Sequence, residues 1–317
     1  MRKTSWRNPI LLFLTAVIWG VAFVAQSVGM EYIGPFTFNC VRCLIGGVVL
    51  IPCIWILDRV RGRGEDMADG CGKGTGEDGR PEKDRRRSER KVLMTGGVCC
   101  GLALFVASNL QQFGIQYTSV GKAGFITAMY IVLVPVLGIF LKKRIGLKVW
   151  FSVALAVTGL YLLCITEGFS IGTGDLLVLL CAFVFAIHIL VIDYFSPKAD
   201  GVRLSCIQFL VCGVLSGICM LMTEQPDMGA ILQAWMPVLY AGVMSCGVAY
   251  TLQIIGQKGM DPTVASLILS LESVVSVLAG WALLGQALSA RELFGCVLMF
   301  GAIILAQLPG REMQKKK

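Results

Sequence analysis

The sequence predicts an all-α polytopic membrane protein: ten transmembrane helices in two inverted five-helix repeats. Three observations predict it. Ten apolar stretches, each near the length of a membrane-crossing helix, fill most of the 317 residues. Lys and Arg gather on alternate connections between those stretches. The chain from residue 109 also realigns on the chain from residue 251 without a gap. With five stretches per set, the second set enters the membrane from the opposite side, as in inverted-repeat transporters.

The composition sets this class before any motif does. The chain is 56% hydrophobic and only 15% charged, whereas roughly a quarter of a soluble protein is charged. A hydrocarbon layer of about 30 Å calls for about 20 apolar residues per helix. Such runs cover 9–29, 36–57, 92–116, 119–141, 147–165, 174–195, 203–222, 232–256, 262–284 and 290–308. They are continuous rather than alternating, which suits helices in lipid and not barrel strands. Little chain is left for a soluble domain.

Taken in order, each run has its own marks. The first has a basic flank, but it is longer than a signal-peptide core and leads into nine more, so it stays as a helix. After the second comes the one clear break, 58–91, with 11 Lys/Arg, 9 Asp/Glu and many glycines. That segment cannot bury a core and reads as a disordered cytoplasmic loop. Its Gly72-Lys73-Gly74-Thr75 echoes a phosphate loop, but Met67 stands where that motif needs Gly and no strand precedes it. The third run carries Gly97-x-x-x-Gly101 and the seventh Gly213-x-x-x-Gly217, small residues one turn apart that let helix backbones approach. Ser289-Ala-Arg-Glu292 reads as a capping box opening the tenth.

The net charge of +8 does not point to nucleic acid, because position overrules it. With the N-terminus inside, 25 Lys/Arg fall on the cytoplasmic side, only Lys122 and Arg291 at outer ends, and Arg42 within a span. That is the positive-inside pattern, and it predicts a multi-pass protein of the cell (cytoplasmic) membrane with both termini cytoplasmic. Of 13 cysteines, all but Cys71 lie in apolar runs, where cysteine is a small packing residue. Cys40-x-x-Cys43 lacks a second ligand pair and Cys99 and Cys100 are adjacent, so neither argues for zinc.

The repeat can be read directly. Sliding 109–164 onto 251–306 pairs Gln111 with Gln253, Gly114 with Gly256, Ile126 with Ile268, Gly138 with Gly280 and Gly159 with Gly301. The fourth and ninth runs are mates and cross in opposite directions. The predicted units are 9–165 and 174–308, the first including the 58–91 loop.

On these residues the chain resembles the drug/metabolite transporter superfamily, in particular its ten-helix EamA members with two EamA repeats. The resemblance lies in Trp19-Gly20 of the first helix, Pro35 and Arg42 opening the second, the paired fourth-to-fifth and ninth-to-tenth helices, and Leu271-Glu272 in the ninth. Ser273 stands where members usually carry Pro, and the 58–91 loop is longer than theirs. The resemblance implies a secondary transporter of small solutes.

Polar groups inside the runs are the candidate site. A charge near the bilayer centre costs at least about 2.5–3.5 kcal/mol. Glu272 lies roughly 15 Å deep at about 1.5 Å per residue, where it could bind a proton or a cationic substrate, or serve as a hydrogen-bonded structural acid. Arg42, about 9 Å deep on the same rise, either snorkels to the interface or pairs with Glu31, or grips a substrate carboxylate or phosphate bidentately. His188 is the only histidine and reads as a proton relay or a packing residue. Asn109, Gln112 and Gln116 recur at helical spacing on the third run, as Tyr250, Gln253 and Gln257 do on the eighth. These stripes either line a cavity or bond between helices. Tyr130, the repeat mate of Glu272, and Trp19 would add aromatic walls.

Together these readings predict a secondary active transporter of a small solute (a metabolite, amino acid or drug), working by alternating access and driven by a gradient. The alternative is a non-transporting membrane sensor or assembly partner. An enzyme would need a nucleophile or metal cluster in the spans, and none is visible, so no cofactor and no metal are expected. The expected partners are the solute, coupled protons, the lipid bilayer and a second copy in a homodimer, with no nucleic acid.

Overall fold

The computed structural model describes residues 6–68, 82–118, 120–141, 146–164, 172–284 and 289–307. Ten helical spans follow one another: α1 (Arg7–Gly29), α2 (Pro35–Ala68), α3 (Glu82–Ile115), α4 (Val120–Ala128 and Tyr130–Phe140), α5 (Leu147–Cys164), α6 (Thr173–Phe195), α7 (Gly201–Thr223), α8 (Trp235–Gln257), α9 (Pro262–Leu269 and Leu271–Leu284) and α10 (Ala290–Gln307). Among the described residues there is no strand. Eight of these spans are long and apolar enough to cross a membrane, while α5 and α10 carry shorter apolar stretches. Large apolar side chains such as Val48, Ile51, Trp55, Phe140, Phe151, Leu221 and Met222 face outward. In water they would form an oversized exposed patch, and in lipid they need no partner. The chain is a multi-pass membrane protein.

The helices reach farther into the polar segment than its composition predicts. α2 continues to Ala68 and α3 begins at Glu82, so the flanks of 58–91 are helical. The straight-chain Arg, Lys and Glu residues there are good helix formers. Cys71 and Gly72–Thr75 lie outside the described residues.

An inverted repeat predicts that each packed helix pair has a counterpart five helices on. The packing has this form. α3 lies on α6 as α8 lies on α1, α3 on α7 as α8 on α2, and α1 on α9 as α6 on α4. Three pairs, α2–α7, α4–α9 and α5–α10, are their own counterparts. They mark where a pseudo-two-fold axis passes between the halves.

Small residues make these crossings close. Gly97 and Gly101 meet Ile207 and Val211 of α7, and Gly213 and Gly217 meet Leu44 and Cys40 of α2. On α5, a Cβ at Gly159 would come 2.8 Å from the Gly295 carbonyl oxygen of α10. Without a hydrophobic drive between helices, such backbone proximity supplies the dispersion contact. Caps fix the ends: Asp200 accepts from the Val202 and Arg203 amides, and Asp261 from those of Thr263 and Val264, with Pro262 at the first turn. Across the halves, the Glu224 carboxylate after α7 accepts from the Phe36 and Thr37 amides opening α2, at 2.9 and 2.8 Å.

Three spans depart from a regular α-helix near the centre of the bundle. α4 breaks at Met129 and α9 at Ser270, at nearly equivalent points of the two halves. No proline is needed for the second break. Ser266, Ser270 and Ser276 each turn a hydroxyl back onto a backbone carbonyl three residues earlier, a competition that bends helices. In α8, Tyr240–Tyr250 is a π-helix. Its wider turn puts residues five apart on one face, so Gly242 and Gly247 both look toward α2, at Ile45 and Val49.

Candidate functional site

The α4 and α9 breaks meet at one hydrogen bond. Tyr130 opens the second half of α4, and its phenol donates to Glu272 Oε1 at 2.9 Å across 142 residues. That separation is the spacing of the sequence repeat itself. Two repeat mates can touch only near the symmetry axis, so this bond marks the middle of the protein.

Around it lies a small cavity whose walls come from both halves of the chain. The first half contributes Trp19, Phe23, Gln26, Arg42, Gln111, Thr127 and Tyr130 to its walls. The second half contributes Phe185, Ile189, Ser245, Tyr250, Gln253, Leu269 and Glu272. Many are mates. Gln111 with Gln253 and Thr127 with Leu269 share the spacing of Tyr130 and Glu272. α1 and α6, both 23 residues long, align end to end with Trp19 on Phe185 and Phe23 on Ile189. Ser245 and Tyr250 reach the same wall because the π-helix stacks residues five apart.

The cavity has two poles. Arg42 is on the wall where α2 meets α8, with Gly46 against Cys246 and Gly242 against Ile45 and the Arg42 carbonyl. Its side chain is 4% exposed, its Nε has no hydrogen-bond partner, and its guanidinium stands 5.6 Å from the Phe38 ring. No carboxylate of a described residue lies within ion-pair distance of it. The expected escape to the interface or to Glu31 does not occur, since Arg42 points inward and Glu31 is exposed. Glu272, also 4% exposed, is on a separate wall, where α9 lies against α1 and α4. Its backbone carbonyl is close to Gly20, so α1 carries Trp19 past this pole. Trp19 and Tyr250, both in the lining, pack ring against ring at 4.6 Å.

Six of the residues chosen from sequence meet here: Glu272, Arg42, Trp19, Tyr130, Tyr250 and Gln253. Three do not line the cavity. Asn109 belongs to a network between α2, α3 and α7, accepting from Asn39 at 2.9 Å and donating to Phe105 O at 2.7 Å and Ser216 Oγ at 3.1 Å. Gln112 donates to the Gln26 carbonyl at 3.4 Å. His188 is fully buried, with Nε2 3.1 Å from Gln208 Oε1, and packs 6.1 Å from the Tyr250 ring. Gln116 is exposed, and Gln257 is buried with neither amide atom bonded. Of the polar stripe on α3, Asn109 and Gln112 therefore bond between helices, and a different amide, Gln111, reaches the cavity. Gln111 donates to Thr127 Oγ1 at 3.2 Å. The repeat spacing already paired it with Gln253, and that was the signal for it. Among the described residues, no group of three or more His, Cys, Asp or Glu is placed to hold a metal.

Comparison with known proteins agrees with this fold. Residues 7–165 and again 172–308 match the EamA-like transporter family. An uncharacterized transporter of Archaeoglobus fulgidus is 29% identical over 299 residues, covering 94% of this chain and 84% of that protein. The uncharacterized transporters YoaV and YwfM of Bacillus subtilis are 21% and 23% identical and are covered over 92% and 95% of their lengths. One solved crystal structure of another protein has the same fold, with a TM-score of 0.72 at 18% identity over 97% of this chain and 98% of the other.

Proposed function

From a chain that belongs to the EamA-like transporter family, we propose a secondary active carrier. It moves a small solute across the cytoplasmic membrane by alternating access, with both termini on the cytoplasmic side as the basic-residue split implies. The units that rock against each other are 9–165 and 174–308. The observation that carries this reading is the cavity itself, lined by seven residues from each half and centred on the Tyr130–Glu272 bond. A site on the pseudo-symmetry axis is the one place that opens to either side when the halves exchange conformations.

Arg42 anchors an anionic group of the solute, Trp19 and Tyr250 hold its body, and Glu272 couples the cycle to a proton gradient. A buried carboxyl can exist with or without its proton, and this lets one residue link two fluxes. The test is reconstitution. Purified protein is screened for thermal stabilisation by metabolites, and each hit is assayed for counterflow in proteoliposomes. Counterflow above protein-free vesicles is expected for at least one stabilising solute. Stabilising solutes that never exchange would reduce the protein to a sensor.

A further inference from the structure

We propose that the cargo is a small organic monoanion with a flat apolar body, and that each anion crosses with one proton held on Glu272. This rests on the carrier reading above and adds the cargo's charge and its proton stoichiometry.

The argument is one of charge balance between the two poles. Arg42 keeps its charge at any accessible pH, is 4% exposed, and has no counter-ion among the described residues. A buried guanidinium with no carboxylate in contact is costly, and an anion bound against it would offset that cost. Glu272 differs. Its Oε1 already accepts from Tyr130 at 2.9 Å, no described cation is within ion-pair distance, and it can shed its charge by taking a proton. With Glu272 ionised, the unloaded cavity is neutral, one guanidinium and one carboxylate on its walls. Anion entry alone would leave it net negative. Moving one net charge across the membrane couples to the potential at about 2.3 kcal/mol per 100 mV. Protonation of Glu272 restores neutrality. Its carboxylate takes a proton from hydronium on the loading side, where a hydronium O–H bond breaks as the carboxyl O–H forms, and gives it to water on the other side, where the reverse occurs.

The titratable and charged groups facing Glu272 are Tyr130 of α4, Tyr250 of α8, Arg42 of α2 and Cys181 of α6, with Cys296 of α10 in the cluster beside Leu271. α1 and α5 bring none to the cavity. Among the described residues, Arg42 is thus the one fixed charge of the lining against which the proton is balanced. The flat apolar body follows from the rings around it: Trp19 and Tyr250 in contact, and Phe23, Phe185 and Tyr130 on the other walls.

The experiment uses full-length protein and four probes of similar size: benzenesulfonate and 4-hydroxybenzoate as anions, phenylalanine as zwitterion and phenyltrimethylammonium as cation. Thermal midpoint and proton uptake are read together in weakly buffered detergent solution with a pH indicator. The anions are expected to stabilise the protein, with about one proton taken up per anion bound. R42Q should lower anion affinity at least tenfold and R42K by less, while E272Q should bind the anion with no proton uptake. Benzenesulfonate carries no proton of its own. In proteoliposomes its entry should follow an imposed pH gradient and ignore a potential set with valinomycin. A silent anion arm, binding without proton uptake, or flux that follows the potential overturns the proposal. Transport of phenylalanine or the cation instead would keep the carrier reading and remove this one. Absence of counterflow for every solute that binds removes the carrier reading itself.

Discussion

The two halves of the protein supply equivalent positions to the cavity but opposite chemistry. Where the first half has Tyr130, the second has Glu272, and these mates touch at 2.9 Å. Where the first half has Arg42 on α2, counting equally from the start of α7 in the second half reaches Gln208, which turns to His188 and not to the cavity. Mates that keep similar character, such as Gln111 and Gln253, form the walls. The comparison teaches that symmetry places the site while its breaking charges it. A perfectly symmetric cavity would have carried two arginines or two acids, with like charges facing each other at the axis.

The largest expected effect comes from removing the first half's charge. R42Q should abolish transport and weaken binding of the cargo roughly 10- to 100-fold, as expected for a charged hydrogen bond of about 1.5–3 kcal/mol. Gln208→Ala, at the counterpart position, should lower thermal stability and leave binding unchanged, and equal effects at the two sites would break the comparison. Next is E272Q. Exchange of labelled for unlabelled solute should persist while accumulation against a gradient falls to none, measured in the same vesicles. Full accumulation by E272Q would end the coupling role. Y130F should act in the same direction more weakly, slowing gradient-driven uptake about tenfold by removing a bond worth about 1.5 kcal/mol. The smallest effect belongs outside the cavity. Asn109→Ala removes its bonds to Asn39 and Ser216 and should cost about 0.6–1.7 kcal/mol, seen as a lower midpoint of thermal unfolding with unaltered affinity for cargo.

Much of this was legible because lipid simplifies the physics. A span must satisfy its own backbone, so long apolar runs can only be helices here, and the ten predicted runs became ten helical spans. The same constraint made Glu272 and Arg42 conspicuous, since a charge inside a run demands a reason. The repeat spacing held more than composition did. It joined Tyr130 to Glu272 and Gln111 to Gln253, all four of which meet at the cavity. Helical periodicity misled for the amides of the third run. Asn109 and Gln112 share a spacing with true lining residues, but spacing records only that a face is shared and says nothing of what covers it. Two helices, α2 and α7, cover the Asn109 face and satisfy it.

By itself the sequence determined the class, the number of spans, the inverted pairing of the halves and the two charges that lipid would not tolerate unexplained. These follow from hydrophobicity and charge, which act on each segment whatever its neighbours. Only the tertiary structure decided that Arg42 turns inward, that α8 widens into a π-helix to bring Ser245 and Tyr250 to one wall, and that α9 breaks at Ser270 without a proline. Such outcomes depend on which side chain lies opposite which across a helix crossing. That is set by packing between residues far apart in the chain, and no local pattern records it.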